Sequence, residues 1–168
     1  MSARCHNTKG MVHYLIALAL VLFLSPVALA DITGQPRVID GDTLEVAGQR
    51  IRLHGIDAPE RRQICRRDGQ LWRCGEDATS ALKAFLGSRP VSCKELDRDR
   101  YRRVVAKCAV DGADIGEWMV SRGWAVAYYQ YSYEYSRAEK RAKSARRGIW
   151  AGEFEKPWEW RKQRRKRR

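Results

Sequence analysis

Apolar and polar positions alternate in short bursts along most of the chain. Residues 37–40 and 43–47 alternate around Gly41, and Gly48-Gln49 turns the chain into a third run, 50–56. Each reads as a strand with one buried face. Ala58-Pro59 ends the third, because proline cannot continue a ladder. Residues 60–74 are polar and loop-like. The period then changes: Ala81, Leu82, Phe85 and Leu86 share one face of a predicted helix over 77–86, stopped at Gly87. Two further strands are predicted over 91–96 and 104–110, the second closed by Asp111-Gly112. Ile115, Trp118 and Met119, followed by Gly123, indicate a second helix, and the charged stretch 136–147, stopped at Gly148, a third.

Early strands, a helix, a hairpin and then helices imply a small α+β protein. Five short strands suit a five-stranded, closed OB-type β-barrel, carried here with about three α-helices; such barrels are common oligonucleotide platforms. Trp118, Trp124 and Trp150 are expected in the core. Tyr128, Tyr129, Tyr131, Tyr133 and Tyr135 crowd one segment, and most of them are expected to pack between helix and barrel, with one or two facing a ligand. His54 reads as a strand side chain rather than a base.

The chain ends add to this picture. Arg4 and Lys9 precede an unbroken apolar run over 14–24, and Ser25-Pro26 and the small residues Ala28-Leu29-Ala30 follow it. That is the form of a secretory signal peptide over 1–30, cleaved near Ala30, too short for a membrane span. Export to the periplasm or the outside is expected, with no membrane span in the mature form. The chain carries 33 Lys+Arg against 20 Asp+Glu, and losing Arg4 and Lys9 takes the net charge from +13 to +11. Such an excess favours a polyanionic partner, nucleic acid first. Seven of the last eight residues, Arg161 onward, are basic; the segment 156–168 is expected to be a self-repelling, disordered tail.

Cys65, Cys74, Cys93 and Cys108 remain after export. An even number in an oxidising compartment implies disulfides, with three possible pairings. Cys65 and Cys74 flank one loop, and Cys93 and Cys108 face each other if the fourth and fifth strands pair, so Cys65–Cys74 and Cys93–Cys108 are favoured over a zinc site.

The chemistry concentrates in VIDGDTLEVAGQRIRLHGIDAPE, residues 38–60. Asp40, Asp42, Asp57 and Glu60 fall at strand ends, where clustered carboxylates suit a hard cation such as Ca²⁺. Arg52 adds a guanidinium that grips phosphate or carboxylate. Read alone, Asp40-Gly41 is equally a hairpin turn.

With VIDGDT (38–43), RLHGIDAPE (52–60), DRYRR (99–103), GWAVAY (123–128) and the closing GIW (148–150) in this order, the chain resembles the staphylococcal nuclease family, over about residues 32–150. The resemblance implies an OB-type nuclease domain over 31–155 and Ca²⁺-dependent hydrolysis of phosphodiester bonds in DNA and RNA, with a monomer expected. It implies Asp42, Asp57 and the carbonyl of Ala58 as calcium ligands, Asp40 as an acid beside them, Glu60 as the residue acting on the attacking water, Arg52 and Arg103 as a clamp on the scissile phosphate, and Tyr101 and Tyr128 as substrate contacts. One position departs from the family pattern. Arg102 stands where the family turn DRYGR has glycine, so a left-handed backbone there would be strained, and Arg102 itself becomes a candidate substrate contact. The contrasting reading is a catalytically silent OB module that binds nucleic acid or an anionic glycan; it has no need of Asp42, Asp57, Glu60, Arg52 and Arg103 together.

Overall fold

The computed structural model describes residues 31–167. The expected signal peptide and Arg168 lie outside the described residues.

Strands β1 (Ile32–Gly34), β2 (Arg37–Asp40), β3 (Thr43–Val46), β4 (Gln49–Leu53), β8 (Val91–Arg98), β9 (Val104–Val110) and β10 (Ala113–Asp114) make one sheet. Its order is β1-β8-β9-β4-β3-β2, with β10 added to β9. β9 shows why these residues form strands. Val104, Ala106, Cys108 and Val110 are buried, and the residues between them are not, which is the period of two that a half-buried strand requires. β8 and β9 pair antiparallel with Cys93 directly opposite Cys108, and a disulfide joins the two.

The arrangement is the expected α+β, OB-type one, with differences in detail. The main sheet has seven strands rather than five, and among the described residues no ladder joins β1 to β2, so hydrogen bonds do not close the barrel. The polar stretch taken as a loop contains a hairpin, β6 (Cys65–Arg67) with β7 (Gln70–Trp72). Its turn residues Asp68 and Gly69 both have positive φ, the signature of a tight two-residue hairpin. Cys65 bonds to Cys74 at the start of helix α1 (Cys74–Leu86). The short strand β5 (Ile56–Asp57) leaves the β4 run after a turn at Gly55 and pairs with β11 (Val126–Ala127).

Helices α2 (Ile115–Ser121) and α3 (Ser136–Ser144) are those expected, and a 3₁₀ turn covers Gly148–Ala151. A fourth helix, α4 (Pro157–Lys166), occupies the segment expected to be disordered. Charge repulsion is overcome there by a proline at the first helical position and by docking. Pro157 is buried, and Trp158 stacks on Tyr128 with ring centroids 5.2 Å apart.

Two apolar clusters result. The larger holds Leu44, Ile51, Leu53, Ile56, Leu82, Met119 and the Cys93–Cys108 pair, with Trp118 and Trp124 packed at its margin. The smaller holds Cys65, Cys74, Val126 and Ile149 under Trp72, Trp150, Phe154 and Trp158. The tyrosine-rich segment is more exposed than expected. Tyr135 is buried and Tyr128 half-buried, but Tyr129, Tyr131 and Tyr133 face solvent, because the chain after β11 runs as turns over the surface.

Candidate active site

β3, β4 and β5 bring the acids and Arg52 together. Asp42 precedes β3, Arg52 pairs across from Thr43, and Asp57 sits opposite Val126. Two close approaches hold this corner. A Cβ on Gly41 would lie 2.7 Å from that of Ala58, and one on Gly75 would lie 1.8 Å from the Glu60 carbonyl oxygen. Only glycine fits at either place, so the DGD turn seats against Ala58 and α1 seats under the Glu60 loop.

Asp57 is fully buried and Asp42 nearly so. Arg52 bridges them, Nη1 donating to Asp42 Oδ1 and Nη2 to Asp57 Oδ1, each at 2.5 Å. The other Asp42 oxygen accepts from the Ala58 N–H at 2.9 Å. Asp40 accepts from the Asp42 N–H at 3.1 Å. Glu60 is fixed through its backbone: its N–H donates to the side chain of the buried Gln63, and its carbonyl accepts from the Gln63 N–H. Gln63 in turn donates to the Glu155 carbonyl at 2.7 Å, tying this loop to the chain just before α4.

A second arginine reaches the same acids. Arg161 on α4 donates bidentately to Asp57, at 2.9 and 3.0 Å, and to Glu60 Oε1 at 2.8 Å. Reading the sequence placed Arg161 in a tail and missed it. The signal that could have found it is PWEW, where a proline and two tryptophans directly precede a basic run that would otherwise remain solvated.

Burial and the charge of Asp42 push Asp40 up to about 7. Burial and Asp42 also raise Asp57, against the pull of Arg161 and Arg52. Burial would lower the Arg52 and Arg161 guanidiniums, but the neighbouring carboxylates outweigh it and raise both. Even with Asp40 partly protonated near neutral pH, Asp42, Asp57 and Glu60 outnumber the two guanidiniums, and all the donors are hard oxygens. That excess of acid and the donor chemistry fit a divalent cation. Among the described residues, however, no group of three or more His, Cys, Asp or Glu is gathered as a metal cluster; the guanidiniums stand between the acids instead.

The remaining expected residues line a cleft of about 950 Å³ that also takes in Asp40, Arg52 and Glu60. Arg103 faces it from the β8–β9 turn, held by Asp99, which accepts from Arg103 Nε at 2.7 Å and from the backbone N–H groups of Tyr101 and Arg103. Burial raises the Asp99 carboxyl, but these bonds outweigh it and hold it below the usual range. Arg103 therefore shares the cleft with Arg52 but not its carboxylates. Arg102 lines the cleft with φ of +63°, so this turn keeps the left-handed backbone that glycine favours. Tyr101 is 64% exposed at the rim, and Tyr128 lies between Tyr131 and Trp158. His54 lies in the turn between β4 and β5 and also lines the cleft.

Paired arginines and carboxylates in a basic cleft on an OB-type sheet suit a phosphodiester hydrolase of the nuclease class. Comparison with known proteins agrees. The family described as Staphylococcal nuclease homologue matches residues 50–152. The chain is 40% identical over 158 residues to the succinoglycan biosynthesis protein ExoI of Rhizobium meliloti (strain 1021), covering 92% of this chain and 83% of that one. It is 36% identical over 155 residues to an uncharacterized endonuclease of Escherichia coli, covering 87% and 95%. It is 34% identical over 128 residues to the probable staphylococcal-like nuclease CAN1 of Oryza sativa subsp. japonica, covering 74% and 36%. The chain belongs to the staphylococcal nuclease family. The family match begins after Asp42 and ends before α4.

Proposed function

We propose that the protein is an exported, Ca²⁺-dependent nuclease that hydrolyses phosphodiester bonds of DNA or RNA. The observation that carries this reading is the buried Asp42–Arg52–Asp57 bridge beside Glu60, at the end of a cleft that Arg103 faces. Two disulfides suit an oxidising compartment, and no described helix is long and apolar enough to cross a membrane.

Asp42 and Asp57, with the Ala58 carbonyl, would hold the cation, and Asp40 would add charge beside them. The cation would neutralise charge building on the phosphate oxygens. With a cation on Asp42 and Asp57, Arg52 would be freed from those carboxylates to meet the scissile phosphate together with Arg103, and their donors would gain most when the equatorial oxygens gain charge. Glu60 orients the attacking water and accepts its proton. Arg161 holds one Glu60 oxygen and leaves the other for that water. Tyr101, Arg102 and Tyr128 meet the strand at the rim. A module that merely binds nucleic acid would not require two acids buried behind an arginine, since desolvating them is costly.

The test is cleavage of single-stranded DNA by the mature protein. A chelator should abolish it and Ca²⁺ restore it, with Mg²⁺ a poor substitute because it is smaller and holds its waters more tightly. Undiminished cleavage in chelator would overturn the metal assignment.

A further inference from the structure

α4 does more than deliver Arg161. Beside it lies a second depression of about 260 Å³, lined by Arg62, Trp160, Arg161, Arg164 and Arg165. Arg161 and Arg165 also line the main cleft, so the two spaces adjoin across these side chains. They are four residues apart on one helix face, which puts Arg165 about 6 Å further along the axis from the carboxylates.

Arg62, Arg164 and Arg165 are exposed, and none of them forms an ion pair among the described residues. Other exposed arginines, such as Arg50, Arg122 and Arg137, are also without ion pairs, so what sets these three apart is that they line one depression around a tryptophan. Unpaired guanidiniums gathered in one concavity repel each other, and an anionic ligand relieves that repulsion. The Arg164 guanidinium lies 4.8 Å over the Trp160 ring, the mix of cation and aromatic face that single-stranded nucleic acid uses. The surface is also held in place. Trp158 stacks on Tyr128, and Gln63 bonds to the carbonyl of Glu155, two residues before the helix.

We infer that this groove is a second nucleic-acid subsite, which takes the phosphodiester backbone of the single strand beyond the scissile bond and stacks a base on Trp160. The inference rests on the proposed nuclease reading of the main cleft. Four of the five residues lining the groove lie on α4, outside residues 50–152 where the family match lies; Arg62 lies within it. An anionic membrane surface fits less well: α4, PWEWRKQRRK, has no aliphatic residue, Trp158 is stacked on Tyr128, and the Trp160 ring carries the Arg164 guanidinium, so little apolar surface is free to insert between lipids.

The test compares full-length mature protein with Arg62→Ala/Arg164→Ala and with Trp160→Ala. Fluorescence anisotropy in chelator, where no cleavage occurs, measures binding of oligothymidylates of about 12 and about 3 nucleotides, chosen to span and to fall short of the range covered by OB-type sites. The double variant should bind the longer strand about tenfold more weakly and flatten its log K against log salt slope by about 1.4, from two lost phosphate contacts. Trp160→Ala should lose about tenfold on the longer strand by loss of base stacking. Both variants should match the parent on the shorter strand. Unchanged binding of the longer strand, or equal losses on both lengths, would overturn the subsite. So would binding to vesicles of anionic phospholipid that depends on these residues while the longer strand is unaffected. Cleavage of the shorter strand by the parent with Ca²⁺ is read separately: its absence would count against the nuclease reading, whatever the groove binds.

Discussion

The strand corner β3–β5 and the helix α4 both deliver an arginine to Asp57, but by different means. Arg52 reaches it from five residues away, on a strand whose neighbours Ile51 and Leu53 are buried in the larger cluster. Arg161 reaches it from 104 residues away, on a helix seated by Trp158 over the smaller aromatic cluster. Arg52 is thus positioned by local strand geometry, where a shift of one residue would turn every side chain to the other face. Arg161 is positioned by docking, and docked segments come loose more readily than sheet cores. One cleft therefore combines a rigid, locally encoded part with a part whose presence depends on packing.

Arg52→Ala should break the rigid part. It leaves Asp42 without a cationic partner and Asp57 with only Arg161, so unfolding free energy should fall by about 3 kcal/mol or more. kcat/KM should fall at least ~10²-fold if the guanidinium acts in the transition state. Urea titration and initial rates on DNA measure the two. A mild effect on both would mean that Arg161 can replace it.

The disulfides separate the two regions. Each closes a short loop, with sequence separations of 15 and 9, which stabilises by roughly 3 kcal/mol in the chain-entropy model. Cys93→Ser/Cys108→Ser should lower stability while the folded fraction retains its kcat. Cys65→Ser/Cys74→Ser should lower kcat as well, because that bridge lies under the aromatic cluster that seats α4. Equal kcat in both variants would show that α4 docks without its bridge.

Arg161→Ala should have a smaller effect than Arg52→Ala. Asp57 keeps Arg52, and Glu60 is still held through its backbone by Gln63. A loss of about 1–2 kcal/mol and about tenfold in kcat is expected from thermal melts and single-turnover rates. An effect as large as that of Arg52→Ala would make α4 an equal part of the rigid centre.

The smallest change expected is a gain. Arg102 holds φ of +63° in the β8–β9 turn, and Arg102→Gly should recover about 1 kcal/mol of backbone strain, read as a higher urea midpoint. A simultaneous rise in KM would show that the Arg102 side chain touches the substrate strand.

Much of this protein follows from its sequence, because much of it is local. Alternation marks β3, β4, β8 and β9, since the pleat alone sends successive side chains to opposite faces. The spacing from Asp40 to Glu60 keeps the acids and Arg52 within one meander, so a linear reading lists them together. The pairing of Cys93 with Cys108 follows from hairpin register, itself a local property. The arginine-for-glycine departure at position 102 reveals itself in a backbone angle that sterics make unfavourable for residues other than glycine.

What only the tertiary structure decided is the role of the C-terminal segment. Composition predicts a disordered tail there, because basic residues in water repel one another and bury no apolar surface. The fold supplies what composition cannot show: Tyr128 as a platform for Trp158, the buried Asp57 and the half-buried Glu60 as partners for Arg161, and Arg62, from a loop about a hundred residues earlier in the chain, to complete a groove. Each of these contacts joins residues far apart in the chain. Their free energy exists only once β11, the β6–β7 hairpin and α4 have come together, and no periodicity or spacing records that event.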